Sequence, residues 1–200
     1  MNTLLQEKTA LVTGAGRGIG AATARVLAQH GARVIVSDLD PVTAQATAQE
    51  ICARGGAARA LEWNVADFPR IPEKVAQAAS FWGRIDILVN AAGITGTAAI
   101  EDITPEGWDR MMNIDLKALF FCTQAVFTRM KAQNYGKIVN ISSLAALRGG
   151  RSSGASYAAA KAGVLNLTKC FALQGAPFQI TANAVCPGNI LTPMARDLSW

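Results

Sequence analysis

Six short runs of β-branched and other apolar residues alternate along the chain with alanine-rich stretches of helical length. That alternation restricts the fold more than any other feature. The runs are TALVTG (9–14), ARVIVSD (32–38), ARALEW (58–63), IDILVNAAG (85–93), GKIVNISS (136–143) and QITANAVCPG (179–188). Between them lie helical patterns from Ile19 to His30, from near Pro41, around 71–81, from Trp108 to Lys131, and over the segment that carries Tyr157. Pro41 suits a first helical turn. Strand–helix–strand units in series fold as right-handed crossovers, and they build a parallel sheet covered on both faces. The expected fold class is therefore α/β, a doubly wound parallel sheet of six strands. Ligands of such sheets bind beyond the carboxyl ends of the strands. The polar and glycine-rich punctuation falls there, at 13–20, 37–40, 64–67, 90–96, 142–156 and 187–193.

With 200 residues and no internal repeat or Pro/Gly-rich linker, the chain reads as one domain over 1–200. Half the residues are apolar and 16% are charged, which excludes a disordered chain and suits a sheet buried on both faces. The net charge of +5 is spread along the chain, so no nucleic acid is expected as a partner. Glu7 and Lys8 interrupt the stretch that a signal peptide would need unbroken. No uncharged run is also apolar enough to span a bilayer, ILVNAAGITGTAAI being broken by Asn90, Gly93 and Gly96, so no membrane partner is expected either. Cys52, Cys122, Cys170 and Cys186 have no C-x-x-C spacing and sit in apolar stretches. They read as small buried thiols of a reducing compartment, and a cytoplasmic protein is the expectation. No metal site is expected.

The first loop, TGAGRGIG from Thr13 to Gly20, stands between a strand and a helix. Glycines there let backbone amides approach a pyrophosphate, and the helix N-terminus favours its charge. Gly14, Gly18 and Gly20 follow G-x-x-x-G-x-G rather than G-x-G-x-x-G. Asp38 ends the second strand, twenty residues beyond Gly18. Its carboxylate can accept from the adenosine ribose hydroxyls and would repel the 2′-phosphate of NADP. Asp40 is better placed to cap the helix at Pro41. Arg17, inside the loop, could meet a 2′-phosphate, but an acid facing a phosphate is the costlier mismatch, so NAD is favoured over NADP.

In SYAAAKAG, Tyr157 and Lys161 lie one helical turn apart on one face. A tyrosine hydroxyl ordinarily titrates near about 10. A nearby ammonium stabilises the phenolate, and the tyrosine can then exchange a proton with an alcohol or carbonyl while a nicotinamide exchanges hydride. Ser142 and Ser143 end at the same sheet edge, where a serine hydroxyl can hold a substrate oxygen.

With these motifs in order from about Glu7 to Met194, the sequence resembles the short-chain dehydrogenases/reductases. The resemblance rests on TGAGRGIG, NV at 64–65, NAAG at 90–93, Asn113 in MMNID, NISS, the YxxxK pair and PG at 187–188. It implies that Tyr157 is the general acid/base, that Lys161 supports it and holds the nicotinamide ribose, and that Ser143 orients the substrate oxygen. Asn113 would position a water linking Lys161 to solvent, at a helix distortion that frees its backbone carbonyl. The implied cofactor contacts are Thr13, Gly14, Arg17, Gly18, Ile19 and Gly20 in the first loop, then Asp38, Asn64 and Val65. Asn90 and Gly93 follow, with Asn90 mainly tying strands together, then Tyr157, Lys161, Pro187, Gly188, Ile190 and Thr192. Substrates would be small alcohols or ketones of polyol, sugar, hydroxysteroid or hydroxyacyl type. The helix over 108–131, apolar on more than one face, would pack partly against a second subunit of a homodimer or homotetramer.

Three departures from the family pattern carry expectations. Asn64 stands where aspartate is usual, so adenine should be held more weakly. The loop from Ser143 to Tyr157 is one residue longer than usual. The chain stops at TPMARDLSW, where relatives continue with lid helices and a last strand, so the sixth strand should be an open edge. The alternatives are an NADPH-dependent 3-oxoacyl-(acyl-carrier-protein) reductase and a catalytically silent nucleotide-binding fragment.

Overall fold

Successive strand residues point to opposite faces, and in this chain both sets are apolar, so the sheet must be covered twice. The computed structural model describes residues 3–150 and 154–196. Its six strands are β1 (Thr9–Thr13), β2 (Arg33–Asp38), β3 (Ala57–Glu62), β4 (Ile87–Asn90), β5 (Gly136–Ile141) and β6 (Ile180–Val185). All pair in parallel, in the order β3-β2-β1-β4-β5-β6. The helices are α1 (Gly18–Gln29), α2 (Pro41–Ala53), α3 (Ile71–Ser80), α4 (Pro105–Met112), α5 (Ala118–Gln133), α6 (Ala145–Arg148), α7 (Ala155–Gly175) and α8 (Pro193–Arg196). Val12, Val34, Val36 and Val89 pack against α1 and α2. Leu11, Ile35, Leu88 and Ile138 pack on the other face against α3, α5 and Phe171 of α7.

The strand order matters for the site. The chain winds outward from β1 to β3, then crosses back to lay β4 on the other side of β1. The connections leaving β1 and β4 therefore part in opposite directions, which opens a crevice at their carboxyl ends. A buried polar chain fixes the sheet beside that crevice. The Asn90 amide donates to Thr123 Oγ1 and to Asn140 Oδ1, both at 2.8 Å, and Asn140 donates to Thr168 Oγ1 at 2.9 Å. Thr123 and Thr168 in turn donate to backbone carbonyls of their own helices, at Leu119 and Val164. These four side chains are linked to one another and to the helix backbones, so β4 and β5 are tied to α5 and α7 with little desolvation penalty.

Two expectations need correction. The helix expected as one piece over 108–131 begins earlier and is broken. Thr104 Oγ1 accepts from Gly107 N–H at 3.1 Å and Pro105 fills the first turn, so α4 starts at 105. A π turn at Asn113–Lys117 then separates α4 from α5. The cysteines are not uniformly buried. Cys122 is, and burial pushes its thiol up to about 12, but Cys52 and Cys170 are exposed on α2 and α7 and Cys186 is half-buried. Both exposed thiols sit on outer helix faces that the apolar stretch alone does not reveal.

β6, at the edge of the sheet, pairs with β5 and has no strand on its other side among the described residues, and Thr181, Asn183 and Val185 are exposed. No helix among the described residues is long and apolar enough to cross a membrane.

Candidate active site

The loop after β1 turns under close constraint. Gly14 and Gly18 hold φ of +63° and +56°, a region that side-chain-bearing residues avoid. A Cβ on Gly14 would sit 2.7 Å from Ala92 Cα, and one on Gly20 would collide with the Gly14 carbonyl oxygen. The loop thus lies directly on the backbone that follows β4, with α1 packed close beneath it. Thr13 Oγ1 completes the seam by accepting from the N–H groups of Ala91 and Ala92 at 3.2 and 3.3 Å. Arg17 is the extended residue before α1, its side chain exposed; Ile19 is half-buried in the first turn.

Asp38, at the end of β2, faces the same loop. Its Oδ2 accepts from Gly16 N–H at 2.8 Å and its Oδ1 from Asp40 N–H at 3.1 Å. Thr47 Oγ1, from α2, donates to the Gly16 carbonyl at 3.2 Å. Gly16 and Thr47 were not among the expected residues. The signal for Gly16 was its place inside the glycine run, and Thr47 offered none. Asp40 caps α2, accepting from Val42 and Thr43 N–H, as its position ahead of Pro41 suggested. Beyond β3, Asn64 is exposed and its Oδ1 accepts from Ala66 N–H at 3.0 Å, a local turn beside buried Val65.

The third group of residues comes from α7, the loop after β5 and the π turn. Gly154, at φ +71°, leads into α7, and Tyr157 and Lys161 follow on one face. Tyr157 is half-buried, while Lys161 is 5% exposed. The Lys161 ammonium lies 5.6 Å from the centre of the Tyr157 ring and donates to the Ile141 carbonyl at 3.2 Å. The two serines separate. Ser142 is buried and donates to the Lys161 carbonyl at 2.8 Å, so it anchors α7. Ser143 is half-buried, and its Oγ accepts from Ala145 N–H at 3.1 Å.

Asn113 opens the π turn, and its carbonyl accepts from Ala118 N–H, five residues on. The expected distortion is present, but it does not leave that carbonyl without an intrahelical partner; a second lone pair is what a water would use. The side chain of this turn that reaches Lys161 belongs to Asp115. Its Oδ2 lies 3.1 Å from Lys161 Nζ, an ion pair rather than a well-aligned hydrogen bond, and its Oδ1 accepts from Ile94 N–H at 2.8 Å. Close approach of the two segments makes this contact: a Cβ on Gly163 would meet Leu116 Cδ1 at 2.9 Å. Gly93 lies against the pair, since a Cβ there would be 2.9 Å from Asp115 Oδ2 and 3.3 Å from Lys161 Nζ. Burial holds the Asp115 carboxyl above the usual carboxylate range, against the opposing pull of Lys161 and the Ile94 N–H.

The last segment returns over the first. Leu144 N–H donates to the Pro187 carbonyl at 2.9 Å, and Gly188 packs on Leu144. Thr192 lies 3.6 Å from where a Gly18 Cβ would stand, while Ile190 is half exposed to solvent. The glycine loop, Asp38, the Tyr157–Lys161 face and the 187–192 segment thus gather along the carboxyl edge of one sheet.

Comparison with known proteins agrees with this architecture. The family model described as short chain dehydrogenase matches residues 8–199. A 3-oxoacyl-[acyl-carrier-protein] reductase of Synechocystis is 41% identical over 98% of this chain and 80% of its own length. A D-beta-hydroxybutyrate dehydrogenase of Cupriavidus necator is 40% identical over 96% of this chain and 74% of its own. The crystal structure of an NAD+-bound xylitol dehydrogenase superposes with a TM-score of 0.89 at 32% identity, covering 92% of this chain and 71% of that one. A family match over nearly the whole chain, on a six-stranded parallel sheet of the expected class, makes the protein a member of the short-chain dehydrogenase family.

Proposed function

We propose that this protein is an NAD-dependent oxidoreductase that moves hydride between NAD(H) and a secondary alcohol or its ketone, with Tyr157 as general acid/base. The observation that carries this is the half-buried Tyr157 phenol beside the buried Lys161 ammonium, at the sheet edge that also holds the glycine loop. The residues present fit a dinucleotide. Gly14 and Gly20 let the turn pack against the backbone after β4 and against itself, and at Gly18 only Thr192 comes within 4 Å, so the turn stays open beside the N-terminus of α1. When bound, the nicotinamide supplies the hydride acceptor or donor.

The remaining roles belong to the chain. In oxidation, the Tyr157 phenolate takes the hydroxyl proton of the substrate; in reduction, its phenol returns it to the carbonyl oxygen. Ser143, with its hydroxyl at the same edge, orients that oxygen. Lys161 holds the nicotinamide ribose and stabilises the phenolate, and Asn113 offers its carbonyl to a water behind Lys161. Pro187, Gly188, Ile190 and Thr192 close over the nicotinamide side, while Asn64 and Val65 flank the adenine. Asp38 selects NAD over NADP. Its carboxylate is held by two backbone N–H groups facing the loop, where a 2′-phosphate would meet a fixed negative charge, whereas the Arg17 side chain is exposed to solvent. The NAD+-bound xylitol dehydrogenase supports the same choice by likeness. Acyl-carrier-protein substrates, suggested by the Synechocystis relative, are the second candidate. Arg148, exposed at the end of α6, is available to an acidic substrate; Arg151 lies outside the described residues. The expected setting is cytoplasmic, as a homodimer or homotetramer.

The test is hydride transfer itself. Incubated with NAD, the protein should reduce the nicotinamide with at least one member of a panel of polyols, sugars, hydroxysteroids and 3-hydroxyacyl thioesters. Nicotinamide absorbance follows the reaction. NADH binding without transfer to or from any panel member would instead mark a silent nucleotide-binding protein.

A further inference from the structure

We propose that Asp115 is a positioning residue that restrains Lys161, drawing its ammonium off the Tyr157 phenol so that proton transfer by Tyr157 is set to a higher pH than Lys161 alone would give. This rests on Tyr157 being the acid/base group. The geometry is specific. The carboxylate and ammonium are 3.1 Å apart with side chains 0% and 7% exposed, so solvent screens their attraction little. The ammonium also donates to the Ile141 carbonyl at 3.2 Å, on the same inner side. What it offers Tyr157 is a longer approach, 5.6 Å to the ring centre.

Asp115 is itself fixed. Ile94 N–H holds its Oδ1 at 2.8 Å, and Gly93 leaves no side chain between the pair and the crevice. The surroundings contribute no competing charge among the described residues. From α7 come Lys161 and Tyr157; from β5, the Ile141 carbonyl; from the loop after β4, the backbone of Gly93 and Ile94. Lys117, the one cation of the π turn, is exposed and lies over the Phe68 ring at 4.5 Å. Ser142 spends its hydroxyl on the Lys161 carbonyl.

The sign follows. An ammonium near a phenol favours the phenolate, and a carboxylate paired with that ammonium offsets the effect. The carboxylate also repels the phenolate directly. Both effects oppose phenolate formation while Asp115 is ionised, and both vanish when it is protonated. Burial raises the pH at which Asp115 takes up its proton, which moves release of Lys161 toward milder acidity than an exposed aspartate would allow.

The chain has two tyrosines, Tyr135 and Tyr157, so in a Tyr135→Phe background the ultraviolet titration of the phenolate reports Tyr157 alone. Asp115→Asn keeps the shape of the side chain and an acceptor for Ile94 N–H. In the cofactor-free protein it should move the phenolate midpoint down by about one pH unit. The pH profile of alcohol oxidation should shift in the same direction, with KM for NAD unchanged. A midpoint that stays in place or rises overturns the proposal, even where turnover is normal. If no substrate is turned over, the ultraviolet titration still decides, so failure of the functional reading is distinguishable. Should Asp115→Asn not fold, carbon NMR of the unmutated protein decides. The Lys161 Cε and Asp115 carboxyl resonances should inflect at a common pH, and the absence of a common inflection overturns the proposal.

Discussion

Replacing Tyr157 by Phe should lower turnover by about 100- to 10,000-fold while leaving NADH affinity unchanged. The substitution removes one hydroxyl from a half-buried ring and leaves the helix, the ring packing and Lys161 in place. The loss therefore reports proton transfer at the substrate oxygen rather than folding. NADH affinity is set by the glycine loop and Asp38, which touch other parts of the dinucleotide. Steady-state rates beside a NADH titration check both halves. Turnover that survives the change would remove Tyr157 from the reaction. Equal loss of binding and turnover would mean that the ring is part of the cofactor site and little else.

Replacing Lys161 by Met should have its largest effect on stability. Lys161 is the only cation within reach of the buried Asp115 among the described residues. Removing one partner of a buried ion pair leaves an uncompensated charge, at a cost of about 3–5 kcal/mol near neutral pH. The pH dependence carries a definite sign. In the folded protein Asp115 titrates above its ordinary 3.8, because burial outweighs the pull of Lys161. Without Lys161 that pull disappears, and the folded value rises further. A carboxyl whose folded value is raised contributes stability below its unfolded value and loses it as pH rises through the folded one. The variant should thus be closest to the parent in acid and fall behind it toward neutral pH. Adding Asp115→Asn should recover much of the loss. Urea unfolding at a series of pH values measures all three proteins, and a deficit independent of pH would contradict the pairing.

The parts of this fold that could be read in the sequence are those set by local pattern. Buried strands announce themselves as apolar runs, and the Gly14–Gly20 turn by residues that only a strained, crowded backbone requires. Asp40 ahead of Pro41 marks a helix start with two local signals. Tyr157 and Lys161 meet because a regular helix places residues four apart on one face. Only the family resemblance pointed to a distortion at Asn113, since the π turn had no such local pattern. It slips the hydrogen bonding by one residue between Asn113 and Lys117, and the packing of Gly163 on Leu116 accompanies it from a helix fifty residues away. In an unbroken helix, residues 113 and 115 would point about 200° apart. Asn113 was expected behind Lys161 through the family resemblance, by its backbone carbonyl and a water, and no motif marked Asp115. A hint was present: Asp115 is the only acid between Met111 and Met130, and an acid buried in such a helix needs a cation. The exposure of Cys52 and Cys170 was hidden for a related reason. Alanine-rich helices with apolar residues on several faces do not declare which face is inward.

Fluorescence titration with NADH, and with NADPH beside it, tests the central claim most directly. Saturable NADH binding tighter than that of NADPH is expected, with the preference lost in Asp38→Ser. Binding of neither nucleotide would contradict the assignment of the glycine loop as a cofactor site. Tighter binding of NADPH would show that Arg17 outweighs the carboxylate of Asp38.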